Sequence, residues 1–227
     1  MSLSVSGLSV TRAGRIILHP TDLTLPKGGR IGLVGPSGSG KSTLCDALID
    51  RLRSEGVAVA HVPQSPEEAL APLRRLEFHW RQAERALGLD HDPDRQDALL
   101  AALGLTRRQL NVRPWAWSRG MQQRFVIALA LLANPALLIL DEPTSALDPI
   151  IAAATLGLVE THANETGATL LIVTHDLGLA AAWASRLLVL DEGRIVEDTA
   201  TGDLLARPAS STAQTLVAHR NWAELPC

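Results

Sequence analysis

Apolar positions change their period several times along the chain, and each change marks an element. Leu3 to Val10 alternates apolar with polar, the pattern of a half-buried strand. Arg15 to Leu18 and Asp22 to Leu25 predict two further strands joined by His19-Pro20, before a turn at Pro26-Lys27-Gly28-Gly29. Arg30-Ile31-Gly32-Leu33-Val34 is a short continuous apolar run, as in a strand buried on both faces. Leu44 to Leu52 then switches to apolar spacings of three and four, a helix, and a strand follows at Val57 to Val62.

Ser65 to Asn111 has a different texture. It is rich in Leu, Ala, Arg, Glu and Asp at helical spacing, with breaks near Gly88, Pro93 and Gly104, and reads as a helical insert. Beyond it the pattern predicts a helix at Gln122 to Ala133, a strand at Ala136 to Leu140 and a helix at Ile151 to Glu165. A strand at Thr169 to Val173, a helix at Leu177 to Ala184 and a strand at Arg186 to Leu190 come next, then a short hairpin partner at Arg194 to Glu197 and a helical tail, Thr201 to Arg220. Strands alternating with helices imply an α/β fold, a mainly parallel sheet with helices on both faces.

Composition narrows the class. In 227 residues, 46% are apolar but only 3% aromatic, with no tyrosine, so the core is built from Leu, Val, Ile and Ala. A net charge of −3 argues against a broad electrostatic grip on nucleic acid or anionic lipid, leaving room only for local basic patches. Cys45 and Cys227 have no metal or disulfide spacing and are expected as free thiols in a reducing compartment. Met1 to Gly7 carries no secretory pattern, and the longest apolar run, Phe125 to Leu140, is split by Asn134-Pro135, so a soluble cytoplasmic protein is expected.

Three strand ends carry chemistry. Gly35-Pro36-Ser37-Gly38-Ser39-Gly40-Lys41-Ser42-Thr43 lies between a predicted strand and a predicted helix. Glycine lets the loop turn its N–H groups inward around phosphate, and the helix N-terminus adds donors and partial positive charge. Lys41 brings a full charge to the β- and γ-phosphates, and the Ser42 hydroxyl is placed to ligate Mg²⁺. Leu137-Leu138-Ile139-Leu140-Asp141-Glu142-Pro143 ends a buried strand in two acids, which are costly there unless paired or metal-bound. Asp141 is the candidate Mg²⁺ partner and Glu142 the candidate general base, although an acidic helix cap is the plain alternative. Thr169 to Asp176 is a third strand ending in polar groups, from which His175 can reach a γ-phosphate. Gln64 follows a strand end and stands between metal and insert. Ser118 and Gly120 open a helix and form a second anion site, one more than a single triphosphate needs, which points to another subunit's nucleotide.

These motifs, in this order, resemble the ATP-binding subunits of ABC transporters over nearly the whole chain. The P-loop, Gln64, the signature from Ser118 to Arg124, Leu140-Asp141-Glu142-Pro143, Ser145-Ala146-Leu147-Asp148 and His175 all match. Pro63-Gln64-Ser65-Pro66 and Gly120-Met121-Gln122-Gln123-Arg124 are similar to the dipeptide, oligopeptide and nickel importer branch. The resemblance implies one nucleotide-binding domain with a P-loop NTPase core, an N-terminal antiparallel β subdomain and a helical subdomain at about 65–133. It implies ATP and Mg²⁺ as cofactors. Gly35 to Thr43, Gln64, Ser118, Gly120, Gln123 and Asp148 would hold nucleotide; Ser42, Gln64 and Asp141 would hold metal; Glu142 and His175 would be catalytic. Transmembrane permease subunits and a second nucleotide-binding subunit are the implied partners, with no nucleic acid, on the cytoplasmic face of the cell membrane. The implied work is ATP hydrolysis driving import of peptides, nickel or a related small solute; an ABC-type ATPase serving as a non-transport assembly or regulatory module is the alternative.

Two departures stand out. Where the family signature has a second glycine before Gly120, this chain has Arg119. Where the family stacks adenine on an aromatic, the aligned residue is about Arg12, whose guanidinium can also stack on a base. The altered signature beside an intact hydrolytic set implies a heterodimer, with a homodimer as the alternative. Phe78 and Trp80 are read either as a partner's docking aromatics or as the insert's own core.

Overall fold

The structure, a computed structural model, describes residues 2–219. An N-terminal antiparallel pair, β1 (Leu3–Arg12) and β2 (Arg15–Leu25), forms a sheet of its own. Then come β3 (Arg30–Val34), α1 (Lys41–Ser54) and β4 (Val59–Val62). The insert follows as a 3-10 turn (Pro66–Glu68), α2 (Leu76–Ala86), α3 (Pro93–Ala102) and two more 3-10 turns (Arg107–Asn111, Pro114–Ala116). The chain then forms α4 (Arg119–Leu132), β5 (Leu137–Asp141), α5 (Pro149–Thr166), β6 (Thr169–Val173), α6 (Leu177–Trp183), β7 (Arg186–Asp191), β8 (Arg194–Ala200), α7 (Thr201–Ala206) and α8 (Ser211–Ala218).

The main sheet runs in the order β4-β5-β6-β3-β7-β8. All of its pairs are parallel except β7 with β8. Two-residue alternation explains how one strand serves two cores. Leu138 and Leu140 face the insert side with Trp80 and Phe125, whereas Leu137 and Ile139 face α1 and the N-terminal hairpin. Leu170 and Ile172 on one side, Leu171 and Val173 on the other, repeat the division. A third cluster joins Val34, Leu187 and Val189 to α6, α7 and α8.

Several boundaries differ from the sequence expectation. His19-Pro20 does not split β2, because both residues fall at a register irregularity between the Leu8–Thr21 and Val10–Leu18 pairs, where no partner in β1 calls on a Pro20 N–H. β8 continues to Ala200 as an alternating edge strand instead of stopping at Glu197. The tail forms two short helices with a break at Arg207–Ser210; Arg220 and Cys227 lie outside the described residues. Trp80 is fully buried against Phe125, as the insert's own core, while Phe78 stays 36% exposed. Cys45 is a buried free thiol. Among the described residues, no helix is long and apolar enough to cross a membrane.

Candidate active site

Parallel strands β3, β5 and β6 end side by side, and their carboxyl ends open on one cleft. It encloses about 350 Å³ and is lined by Ile17, Gly38, Lys41, Ser42, Gln64, Asp141, Glu142 and His175, with further atoms from the same loop. Residues 35–40 form the loop from β3 into α1. A Cβ at position 35 would collide with the Leu190 carbonyl, so only glycine fits there. Lys41, the first residue of α1, folds back over the loop: Nζ donates to the carbonyls of Gly35 at 2.8 Å and Pro36 at 3.0 Å. The Ser39 hydroxyl is buried and has no partner within the protein, a donor waiting in the loop wall.

The acidic pair closes the opposite side. Burial, then the neighbouring Glu142 carboxylate, pushes Asp141 up to about 6; Lys41 opposes this. Burial likewise holds the Lys41 ammonium below its ordinary range, against the pull of Glu142 and Asp141. Glu142 sits at φ 45°, a left-handed conformation uncommon for a residue with a side chain. That turn swings its carboxylate across to the end of β6. Oε1 accepts from the His175 backbone N–H at 2.8 Å and lies 2.6 Å from His175 Nδ1; Oε2 accepts from Thr174 Oγ1 at 2.9 Å. The carboxylate is thus held on three sides by one strand end.

The donors fit Mg²⁺. Ser42, Gln64 and Asp141 offer hydroxyl, amide and carboxylate oxygens, and a hard cation bound with phosphate takes just one or two carboxylates. The displaced titration of Asp141 is that of buried acids short of positive charge.

Other sequence candidates lie elsewhere. Ser118 Oγ accepts from Met121 N–H at 3.3 Å and caps α4. Gly120 packs against the loop after β5, where a Cβ would stand 2.8 Å from the Ala146 carbonyl. Asp148 caps α5 through Ile151 N–H at 3.0 Å. None of the three lines this cleft. Gln123 is buried at 1% exposure, and its Nε2 donates to the Pro63 carbonyl at 3.4 Å, so within this chain it holds the Gln64 loop. Arg12 is a correction. β1 runs two residues further than expected and carries Arg12 to the hairpin tip opposite Arg15, outside the cleft. Ile17 lines the cleft instead, an apolar contact that no motif announced; Thr174 was likewise missed as a Glu142 partner, although it adjoins His175 in the same strand end. Arg119 is not free: its Nε lies 3.4 Å from Glu67 Oε1.

Comparison with known proteins agrees with this geometry. The family model described as ABC transporter matches residues 18–145, more than half of the chain. A nickel import ATP-binding protein of Rhodospirillum rubrum is 35% identical, covering 95% of this chain and 94% of that protein. Its counterpart in Pseudomonas putida is 36% identical over the same shares. A solved ATP-binding subunit of an ABC transporter superposes with a TM-score of 0.81 at 27% identity, covering 95% of this chain and 98% of that one. A dimeric ATP-binding cassette in a post-hydrolysis state, bound to ADP and Pi, gives 0.73 at 25% identity over 88% of this chain and 99% of that one. Phosphate loop, acidic strand end and kinship along nearly all of its length place the chain in the ABC transporter family.

Proposed function

We propose that the chain is the ATP-hydrolysing subunit of a membrane importer for nickel or a related small solute. The cargo reading is supported by the nickel import relatives; the energetic role is supported by one observation above all, Lys41, Asp141 and Glu142 facing a single cleft. In this reading the Gly35 to Thr43 loop cradles the phosphates of ATP, and Lys41 exchanges its own loop carbonyls for β- and γ-phosphate oxygens. Ser42, Gln64 and Asp141 hold Mg²⁺, which when bound neutralises charge on the transferring phosphoryl group. Glu142 accepts the proton of the attacking water; Oε2, with a single donor, keeps a lone pair for it. His175 and Thr174 hold that carboxylate in place.

Ser118 and Gly120 are assigned to the nucleotide of a second nucleotide-binding subunit, since they are absent from this chain's own cleft wall. Arg119 makes that subunit a different chain in this reading. The whole chain acts as one nucleotide-binding domain. Its insert, about residues 65–133, passes closure and reopening to transmembrane permease subunits at the cytoplasmic face of the membrane. The test is co-expression with the membrane permease subunits that co-purify with the chain, followed by ATPase and uptake assays. Lys41→Ala is expected to abolish both. Glu142→Gln is expected to cut turnover on the order of a hundredfold or more while ATP still binds. Undiminished turnover in either variant would remove the assignment.

A further inference from the structure

We infer that Gly193, in the turn from β7 to β8, is a positioning residue for the phosphate loop: it aims the Gly40 N–H into the cleft. The turn is built for a close approach. Asp191 pairs with Arg194, and the two residues between them, Glu192 and Gly193, both take positive φ, 43° and 71°. That is a tight two-residue hairpin loop, whose central positions favour glycine. This end of the hairpin reaches the loop twice. The Leu190 carbonyl lies where a Cβ at position 35 would stand, and the Gly193 N–H donates to the Ser39 carbonyl at 2.9 Å.

The second contact sets a direction. In a trans peptide the C=O and the N–H point opposite ways. Gly193 is buried and stands outside the cleft wall. With the Ser39 carbonyl held from that side, the N–H of the same peptide, that of Gly40, faces the cleft that Gly40 lines. Among the described residues no backbone carbonyl accepts from it, and a phosphate oxygen is the acceptor that a nucleotide supplies. Gly193 also ties the loop to β2. Its carbonyl accepts from the His19 N–H at 2.9 Å, and a Cβ on it would run into the Ile17 carbonyl. One residue without a side chain thus holds a loop peptide on one side and the hairpin strand on the other, and an L side chain there pushes the turn off both. The inference rests on the reading above in taking the cleft as a phosphate site.

The test is calorimetric binding of MgATP, and of magnesium tripolyphosphate, which has no base, to the purified full chain. The wild type is expected to bind both. Gly193→Ala is expected to weaken both roughly tenfold, since one phosphate donor is turned away. Glu192→Gly, which keeps the turn and its N–H, is expected to weaken neither. A lower Tm in Gly193→Ala with affinities unchanged well below it would mean a role in folding alone and would overturn the proposal. A loss confined to MgATP would act through the Ile17 wall and would overturn it too, as would a wild type that takes MgATP but ignores tripolyphosphate. Amide hydrogen exchange in the wild type gives a second readout that needs no variant. Bound tripolyphosphate is expected to slow exchange at Gly40 and Gly193 together; slowing at Gly40 alone would break the proposed link, whether or not Gly193→Ala folds. A wild type that binds neither ligand would remove the phosphate reading itself, and this inference with it.

Discussion

Glu142 and His175 meet at 2.6 Å although 33 residues separate them, because β5 and β6 are parallel neighbours with Asp141 opposite Val173. The register brings Glu142, the first residue after β5, beside Thr174 and His175, the first two after β6. Glu142 Oε1 also receives the His175 backbone N–H, so the histidine holds the carboxylate twice, once through the ring and once through the chain. His175→Ala removes only the ring contact. ATPase turnover is therefore expected to fall about ten- to a hundredfold, less than for Glu142→Gln, with ATP affinity little changed. Steady-state kinetics of both variants check the order; equal losses would mean that the ring does more than position Glu142.

Asp141 makes stability depend on pH in an unusual direction. Its pKa rises from 3.8 to about 6 on folding, chiefly through burial and then through Glu142. The folded chain therefore binds this proton more tightly than the unfolded one. The contribution is most favourable below 3.8, is lost as pH climbs through the window, and is gone above about 6. Partial exposure of the group screens the effect to about 1 kcal/mol. In metal-free protein, Asp141→Asn is expected to raise Tm at about pH 7 and to leave it nearly unchanged at about pH 4. Melting curves at both values decide it, and an equal shift at both would mean that packing, not charge, is responsible.

Arg119 offers a test in which stability stays silent. Its side chain is 58% exposed and that of its partner Glu67 53%, so the ion pair is worth no more than about 1 kcal/mol. Activity can then be read without a folding artefact. If Arg119 weakens the nucleotide site that it helps to build, Arg119→Gly in the assembled complex is expected to raise the ATPase rate roughly fivefold. Glu67→Gln frees the guanidinium without removing it and is expected to leave the rate low. An unchanged rate and unchanged ATP affinity in Arg119→Gly would sink the altered-signature account.

What the chain revealed before folding, and what it withheld, divides along physical lines. The loop from Gly35 to Thr43 and the end of β5 were legible because phosphate and Mg²⁺ chemistry demands fixed residue types at fixed spacing. The parallel sheet was legible because strands buried on both faces must be continuously apolar, as Leu137 to Leu140 and Leu170 to Val173 are. Ile17 and Thr174 escaped because each acts through position alone: one is an aliphatic side chain on a hairpin, the other a hydroxyl facing a carboxylate 32 residues away. Gln123 is the complementary case. It lies within a motif, yet α4 turns it inward to the Pro63 carbonyl. Pro20 misled for a further reason: at a register irregularity, a missing N–H need break nothing.

The insert's own core depends on Trp80. Its ring is fully buried, with its centre 6.4 Å from that of Phe125, which Trp117 meets edge-on at 5.7 Å. Its Nε1 donates to Glu84 Oε1 at 2.9 Å, and that carboxylate is itself 3% exposed. Two effects can therefore be separated by two substitutions. Trp80→Phe keeps most of the volume but removes one donor from a buried acid, a loss of about 1.5–3 kcal/mol. His91 Nδ1, 3.1 Å from both carboxylate oxygens, and Arg95, 3.7 Å away, remain to limit it. Trp80→Ala adds a cavity beside Phe125 and is expected to cost about 3–5 kcal/mol. Urea unfolding followed at the helical signal should rank wild type, Trp80→Phe and Trp80→Ala in falling order of midpoint. If Trp80→Phe matched the wild type, His91 and Arg95 would be sufficient partners for Glu84, and the indole would contribute through volume alone.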